Sequence, residues 1–144
     1  IKEKEAVITI GPLPQLEILP QQVQQLFTNL IINSIKYTEE AVRPEINIVA
    51  EDPSHTEIMS VGGDLESRYT KIIVQDNGIG FNNDEAEKIF EPFFRVHGKE
   101  KFRGSGLGLT LCRKIMTNHS GYIVASGEPG KGSTMKLYFP VITK

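Results

Sequence analysis

The sequence has one cysteine, Cys112, among 144 residues, which excludes an internal disulfide and any cysteine-rich metal site. A lone thiol of this kind reads as a small core residue and fits a reducing compartment. A strong charge of either sign is also lacking. The net charge is −2 and the pI about 6.0, so composition points to neither nucleic acid nor an anionic membrane as the main partner. No apolar run approaches the roughly 20 residues that span a bilayer, and Ile1 to Ile10 is too charged for a secretory signal. A G-x-x-x-x-G-K-[ST] phosphate loop is absent, and the GSGLG stretch at 104–108 is not preceded by a strand, as a dinucleotide-binding fingerprint requires. The chain starts with Ile, not Met, and is expected to be a piece of something longer. With 39% hydrophobic residues it can build one core, so residues 1–144 are expected to form a single domain.

What is present is organised around Ile72 to Phe81, IIVQDNGIGF. Apolar residues feeding a carboxylate, an Asn and two glycines read as a buried strand that ends where backbone must approach something closely. Asp76 offers an acceptor, and Gly78 and Gly80 clear space in front of it. That shape suits a purine amine. It also suits a hairpin turn, since D-N-G is a good turn signal, and the stretch alone leaves both readings open.

Upstream, Ala6 to Ile10 reads as a short strand, and Gly11, Pro12, Pro14 and Pro20 prevent regular structure until a helix over Gln21 to Tyr37. Val23, Leu26, Phe27, Leu30 and Ile31 form its core face. Asn29, Asn33 and Lys36 fall on another stripe, with Tyr37 at its edge. Two carboxamides and an ammonium in line can hold a hydrated divalent cation and its attached phosphates. A solvated face is the plainer explanation, but Asn is a poor helix former and seldom recurs mid-helix without use. Glu45 to Glu51 alternates as a strand, and Asp52 to Arg68 reads as a long loop without chemistry, with His55 simply exposed.

Downstream, Asp84 to Phe90 can form a short helix, and Phe90, Phe93 and Phe94 around Pro92 make an apolar hinge. Val96 to Arg103, with Lys99, Lys101 and Arg103, reads as a flexible basic loop. GSGLGL then opens a helix through Leu111, Cys112, Ile115 and Met116 to about Asn118. Exposed N–H groups and the dipole at such a helix start suit an anion. After Gly121, Tyr122 to Ser126 and Ser133 to Phe139 form a hairpin around GEPGKG. Met135, Leu137 and Phe139 face one way, and Thr134 faces the other, from which it is expected to reach back to the nucleotide.

NLIINSIKYT, DNGIGF, FEPFFR, GSGLGL and GKGST, in that order, resemble the N, G1, F, G2 and G3 boxes of the catalytic and ATP-binding domain of sensor histidine kinases. The resemblance spans about Val23 to Pro140. It implies an α/β (α+β) two-layer sandwich of the Bergerat type, with a mixed sheet, helices on one face and a mobile ATP lid. It further implies Asn33 as the Mg²⁺ ligand, Asn29 beside the phosphates, Lys36 on phosphate and Tyr37 flanking the adenine. Asp76 would accept from the adenine amine, with Gly78 and Gly80 shaping that pocket. Arg95 and the basic Lys99, Lys101 and Arg103 would belong to the lid and its base, with Arg95 the better candidate for a phosphate contact. Gly104, Gly106 and Gly108, with Leu107 and Leu109 between and after them, would wrap the phosphates, and Thr134 would hold the adenine side.

Two departures stand out. Ser34 occupies a place where the family usually has Ala, a change expected to be tolerated. Asn29 stands where related ATPases carry the Glu that activates water, and an amide is no general base, so slow hydrolysis is expected. His55, His97 and His119 lack the surroundings of a phosphoacceptor. The resemblance therefore implies transfer to a histidine on a dimerisation domain, in the same or a partner chain, with a response-regulator receiver downstream. The full protein is expected to be a cytoplasmic, or cytoplasmically facing, homodimer. A serine kinase of the anti-sigma-factor type is the competing enzyme, and a nucleotide-binding module without transfer the competing non-enzyme.

Overall fold

The computed structural model describes residues 6–11, 16–39, 41–92 and 108–141. Its elements run β1 (Val7–Ile10), α1 (Pro20–Lys36), β2 (Glu45–Glu51), α2 (His55–Val61), β3 (Arg68–Asp76), α3 (Gly108–Asn118), β4 (Tyr122–Glu128) and β5 (Gly132–Val141). The five strands form one mixed sheet in the order β1-β2-β3-β5-β4, with β1 parallel to β2 and the other pairs antiparallel.

α1 starts with Pro20 at its first turn, where the missing N–H costs nothing. Leu26 and Leu30 are fully enclosed, and with Val23 they pack on Ile46, Ile48, Ile72, Val74 and Leu137 of the sheet. α3 contributes Cys112, Ile115 and Met116 to the same core. Burial pushes the Cys112 thiol up to about 12, which keeps it inert, and its S–H points at the Leu26 carbonyl 3.8 Å away. The expected short helix over Asp84 to Phe90 is instead two 3-10 turns, Asn83–Glu85 and Lys88–Phe90. Phe90 is buried, and the Arg113 guanidinium lies 4.1 Å over its ring while bonding Glu87 at 2.9 Å. Phe93, Phe94 and the basic stretch lie outside the described residues.

The expected loop at Asp52 to Arg68 is corrected by α2. A capping box starts this helix: Ser54 Oγ accepts from the Glu57 N–H, and the Ser54 N–H donates to the Glu57 carboxylate. Gly62 ends it at φ 82°. With only Ile58 buried, the helix has no apolar periodicity to detect, but S-H-T-E followed by G-G is a legible start and stop. α2 lies on the sheet face opposite α1 and α3, since Ile58 packs on Tyr69 and Tyr138, whose parity is opposite to that of Ile72 and Leu137.

Lys71, buried under α2, ties this face together. Its ammonium is 2.6 Å from both Glu51 and Glu57, and the Tyr138 hydroxyl donates to Glu57 at 2.8 Å. Burial alone would raise the Glu57 carboxyl, but bonds from Lys71, the Ser54 N–H and Tyr138 outweigh it and hold the group down at about 2. Glu57 in the unfolded chain titrates near 4.5, so its contribution is complete above that value and is lost as pH falls toward 2. Urea unfolding from about pH 6 down to pH 3 should therefore show a loss of stability that Glu57→Gln makes shallower; parallel curves would dismiss the cluster as a stability term.

Candidate functional site

Asp76 is the last residue of β3, and the chain beyond it does not return as a neighbouring strand: the partners of β3 are β2 and β5. The hairpin reading of D-N-G is thereby removed. Asn77 instead braces the sheet end, accepting from the Glu45 N–H at 2.8 Å and donating to the Arg43 carbonyl at 3.0 Å. The Ile79 N–H donates to the Tyr37 carbonyl at 2.8 Å, so the turn is held against the end of α1. A Cβ on Gly78 would come within 2.8 Å of that carbonyl. Gly80, at φ 67°, presses on the β4–β5 turn, where a Cβ would lie 2.1 Å from the Glu128 carbonyl oxygen. Both glycines are required, Gly80 by backbone packing more than by pocket shape.

The Asp76 carboxylate collects its donors from three directions. Oδ1 accepts from the Gly78 N–H at 2.9 Å and the Ser133 N–H at 3.1 Å. Oδ2 accepts from the Ser34 and Ser133 hydroxyls, each at 2.8 Å. Thr134, assigned to the adenine side, is not at this carboxylate. In the β3–β5 register Ser133 stands opposite Asp76 and Thr134 opposite Gln75, so the pleat turns Thr134 to the face away from α1. Met135, Leu137 and Phe139 do share one face, and it is the face that Ser133 and Asp76 share. Counting back by twos from Leu137 would have found Ser133.

The Asn29 and Asn33 stripe is not a solvated face. Both residues are half-buried toward α3: a Cβ on Gly108 would lie 3.7 Å from Asn33 Nδ2 and 3.8 Å from its Oδ1, and Asn29, one turn further along, lies close enough to the Cys112 thiol to offset part of the effect of burial on it. Gly108 therefore brings backbone, and no side chain, against the Asn33 carboxamide. Lys36 Nζ lies 5.3 Å from the ring centroid of Tyr37, which closes the helix as its C-cap. Leu109 packs against the core and is a framework residue at this point. Arg95, Lys101, Gly104, Gly106 and Leu107 lie outside the described residues. His119 is a helix-end residue: its Nδ1–H donates to the Ile115 carbonyl and its Nε2 accepts from the Leu19 N–H, both at 2.9 Å.

Two groups therefore converge under α1. One is Asp76 with Ser34, Ser133 and Gly78; the other is Asn29 and Asn33 against Gly108 and Cys112. Ser34 and Asn33, adjacent in sequence, join them.

Comparison with known proteins shows the family and the fold. The model of the family described as "Histidine kinase-, DNA gyrase B-, and HSP90-like ATPase" matches residues 18–143. The chain is 35% identical over 141 residues to the phytochrome-like protein Cph1 of Synechocystis sp., covering 98% of this chain and 17% of that protein. It is 37% identical over 141 residues to cyanobacterial phytochrome A of Nostoc sp., again covering 98% of this chain and 17% of the relative. The chain thus spans about a sixth of these relatives. Among solved structures, the mycobacterial sensor histidine kinase MprB superposes with a TM-score of 0.73 at 18% identity, covering 96% of this chain and 84% of that one. The nucleotide-free catalytic domain of histidine kinase ThkA gives 0.66 at 26% identity, covering 96% and 79%. The α/β architecture with a mixed sheet is the fold these solved structures share.

Proposed function

We propose, from the premise that this chain belongs to the histidine kinase-, DNA gyrase B- and HSP90-like ATPase family, that it binds Mg·ATP and passes the γ-phosphoryl group to a histidine supplied from outside these residues. The observation that carries the reading is the placement of Asp76 at the end of the central strand, beneath the helix whose Asn33 faces a residue without a side chain. Asp76 accepts from the adenine amine. Gly78 lets the base lie against bare backbone, and Tyr37 flanks it. Asn33 is the protein ligand of Mg²⁺, a hard cation that takes oxygen donors and retains water; the half-buried carboxamide beside Gly108 fits that role. When bound, the ion neutralises charge building on the phosphates.

Asn29 lies beside the phosphates without acting as a base, because an amide does not take a proton from water at neutral pH. ATP is therefore kept for transfer: the bond from the γ-phosphorus to the bridging oxygen breaks as a P–N bond to the imidazole forms, and ADP leaves with that oxygen. Lys36, Arg95 and Lys101 supply positive charge, and Gly104, Gly106, Leu107 and Gly108 wrap the phosphates. Positioning and charge neutralisation supply the rate, as in phosphoryl transfer generally. The acceptor belongs to a dimerisation domain of a longer, homodimeric sensor kinase that signals to a receiver domain, with residues 1–144 as its single catalytic domain on the cytoplasmic side.

Calorimetric titration with ADP and a non-hydrolysable ATP analogue tests this directly. Affinity should rise with Mg²⁺, and Asn33→Ala should abolish that rise while costing at least about tenfold in analogue affinity, or about 1.4 kcal/mol. Binding by Asn33→Ala that still strengthens with Mg²⁺ would remove Asn33 as the ligand. Transfer itself is read by adding γ-labelled ATP and a separately purified acceptor domain of a relative.

A further inference from the structure

The Asp76 carboxylate has no acceptor site left over. A carboxylate offers about four lone-pair directions, and Gly78 N–H, Ser133 N–H, Ser133 Oγ and Ser34 Oγ occupy them. An adenine amine can bond Asp76 only if one donor turns away. The two backbone donors are set by the chain. Ser133 grips both carboxylate oxygens, one through its N–H and one through its hydroxyl, and so fixes the aim of the group. Ser34 makes a single contact through a hydroxyl, and a hydroxyl hydrogen rotates to suit its partner. It is also the only one of these donors carried by α1, one residue from Asn33 and 6% exposed.

The geometry points to Ser34 as a base-reading residue: on nucleotide binding its hydroxyl turns from Asp76 to donate to the ring nitrogen beside the amine. This rests on the reading of Asp76 as the acceptor for that amine. One rotation then does two things. It vacates an acceptor position on Asp76 Oδ2, and it presents a donor 2.8 Å from that acceptor. Adenine shows the complementary pair on its Watson–Crick edge, an amine donor next to the N1 acceptor. Guanine shows the reverse, a carbonyl and an N1–H, and would set its O6 against the carboxylate. Ser34 and Asp76 together are thus a two-point adenine reader, in which Ser34 is a specificity-determining residue and not a neutral replacement for Ala.

The test is a cycle that crosses Ser34→Ala with removal of the ring nitrogen, using ADP and 1-deaza-ADP, which keeps the amine and replaces N1 by C–H. Affinities are read by calorimetry, so no phosphoryl transfer is needed. The wild-type protein should lose about fivefold on going from ADP to 1-deaza-ADP, as expected for one neutral hydrogen bond. Ser34→Ala should bind ADP about fivefold more weakly than wild type and lose nothing further with 1-deaza-ADP. If Ser34→Ala binds ADP as well as or better than wild type, or stays as sensitive to loss of N1, Ser34 merely competes for Asp76 and the inference fails. An unaltered 1-deaza-ADP affinity in the wild type overturns it without any variant. The underlying site fails in a distinguishable way: Asp76→Asn would then bind ADP like the wild type, whatever Ser34 does.

Discussion

Asp76→Asn is expected to reduce adenine nucleotide affinity by at least about a hundredfold, close to 3 kcal/mol, while the domain still unfolds in one cooperative transition. The amide has nearly the shape of the carboxylate but turns an NH₂ toward donors, so the adenine amine meets a donor or a weaker neutral acceptor. The charge-assisted bonds from Ser34 and Ser133 weaken at the same time. That structural cost is about 1–2 kcal/mol and should be visible as a modest fall in Tm, separate from the binding loss. Calorimetry and thermal unfolding on the same samples separate the two. Wild-type affinity in Asp76→Asn would mean that this carboxylate only ties α1 to the sheet and that the base is read elsewhere.

Gly80→Ala should produce a large loss of stability for a single added methyl group. Two penalties coincide there. At φ 67° an L-residue sits in the left-handed region, at a cost of about 1 kcal/mol. The new Cβ would also stand 2.1 Å from the Glu128 carbonyl oxygen and 2.7 Å from that of Gly132, both backbone atoms in the β4–β5 turn. Backbone cannot swing aside as a side chain can, so the turn and the end of β3 must move apart. A total of about 3–5 kcal/mol is expected, with Tm lower by roughly 10–20 °C. Gly130→Ala is the control. Its φ is 80°, yet nothing lies within 4 Å of the added carbon, so it should cost about 1 kcal/mol from the backbone alone. Equal Tm shifts in the two variants would refute the close packing of this turn. Because Gly132 meets the Asp76 carbonyl from the other side, at 2.0 Å from a notional Cβ, the same packing aims the carboxylate. Gly80→Ala should therefore weaken nucleotide binding as well.

Much of the architecture is legible in the order of residue types. The apolar run into D-N-G-I-G places a buried strand and ends it at a carboxylate, and the spacing of Val23, Leu26 and Leu30 places α1 and its buried face. α2 buries one residue, Ile58, so its signal lies in its caps and not in any periodicity. Thr134 does lie on the side opposite Leu137, but alternation along a strand gives relative faces only. Which face meets α1 depends on the register of β5 on β3. Ser34 looked like a small exchange because its consequence is a bond to a residue 42 positions away.

The sequence by itself determined the elements with strong period, the glycines that a close approach demands, and the set of residue types from which a nucleotide site can be made. Only the tertiary structure decided that Ser133 and not Thr134 stands at Asp76, that Asn29 and Asn33 lie half-buried beside α3, and that Lys71 is buried between two carboxylates. The physical reason is the range of each cause. Propensity, capping and hydrophobic period act within a few residues, whereas the partner of a polar group is chosen by strand register and helix packing, which bring together residues far apart in the chain.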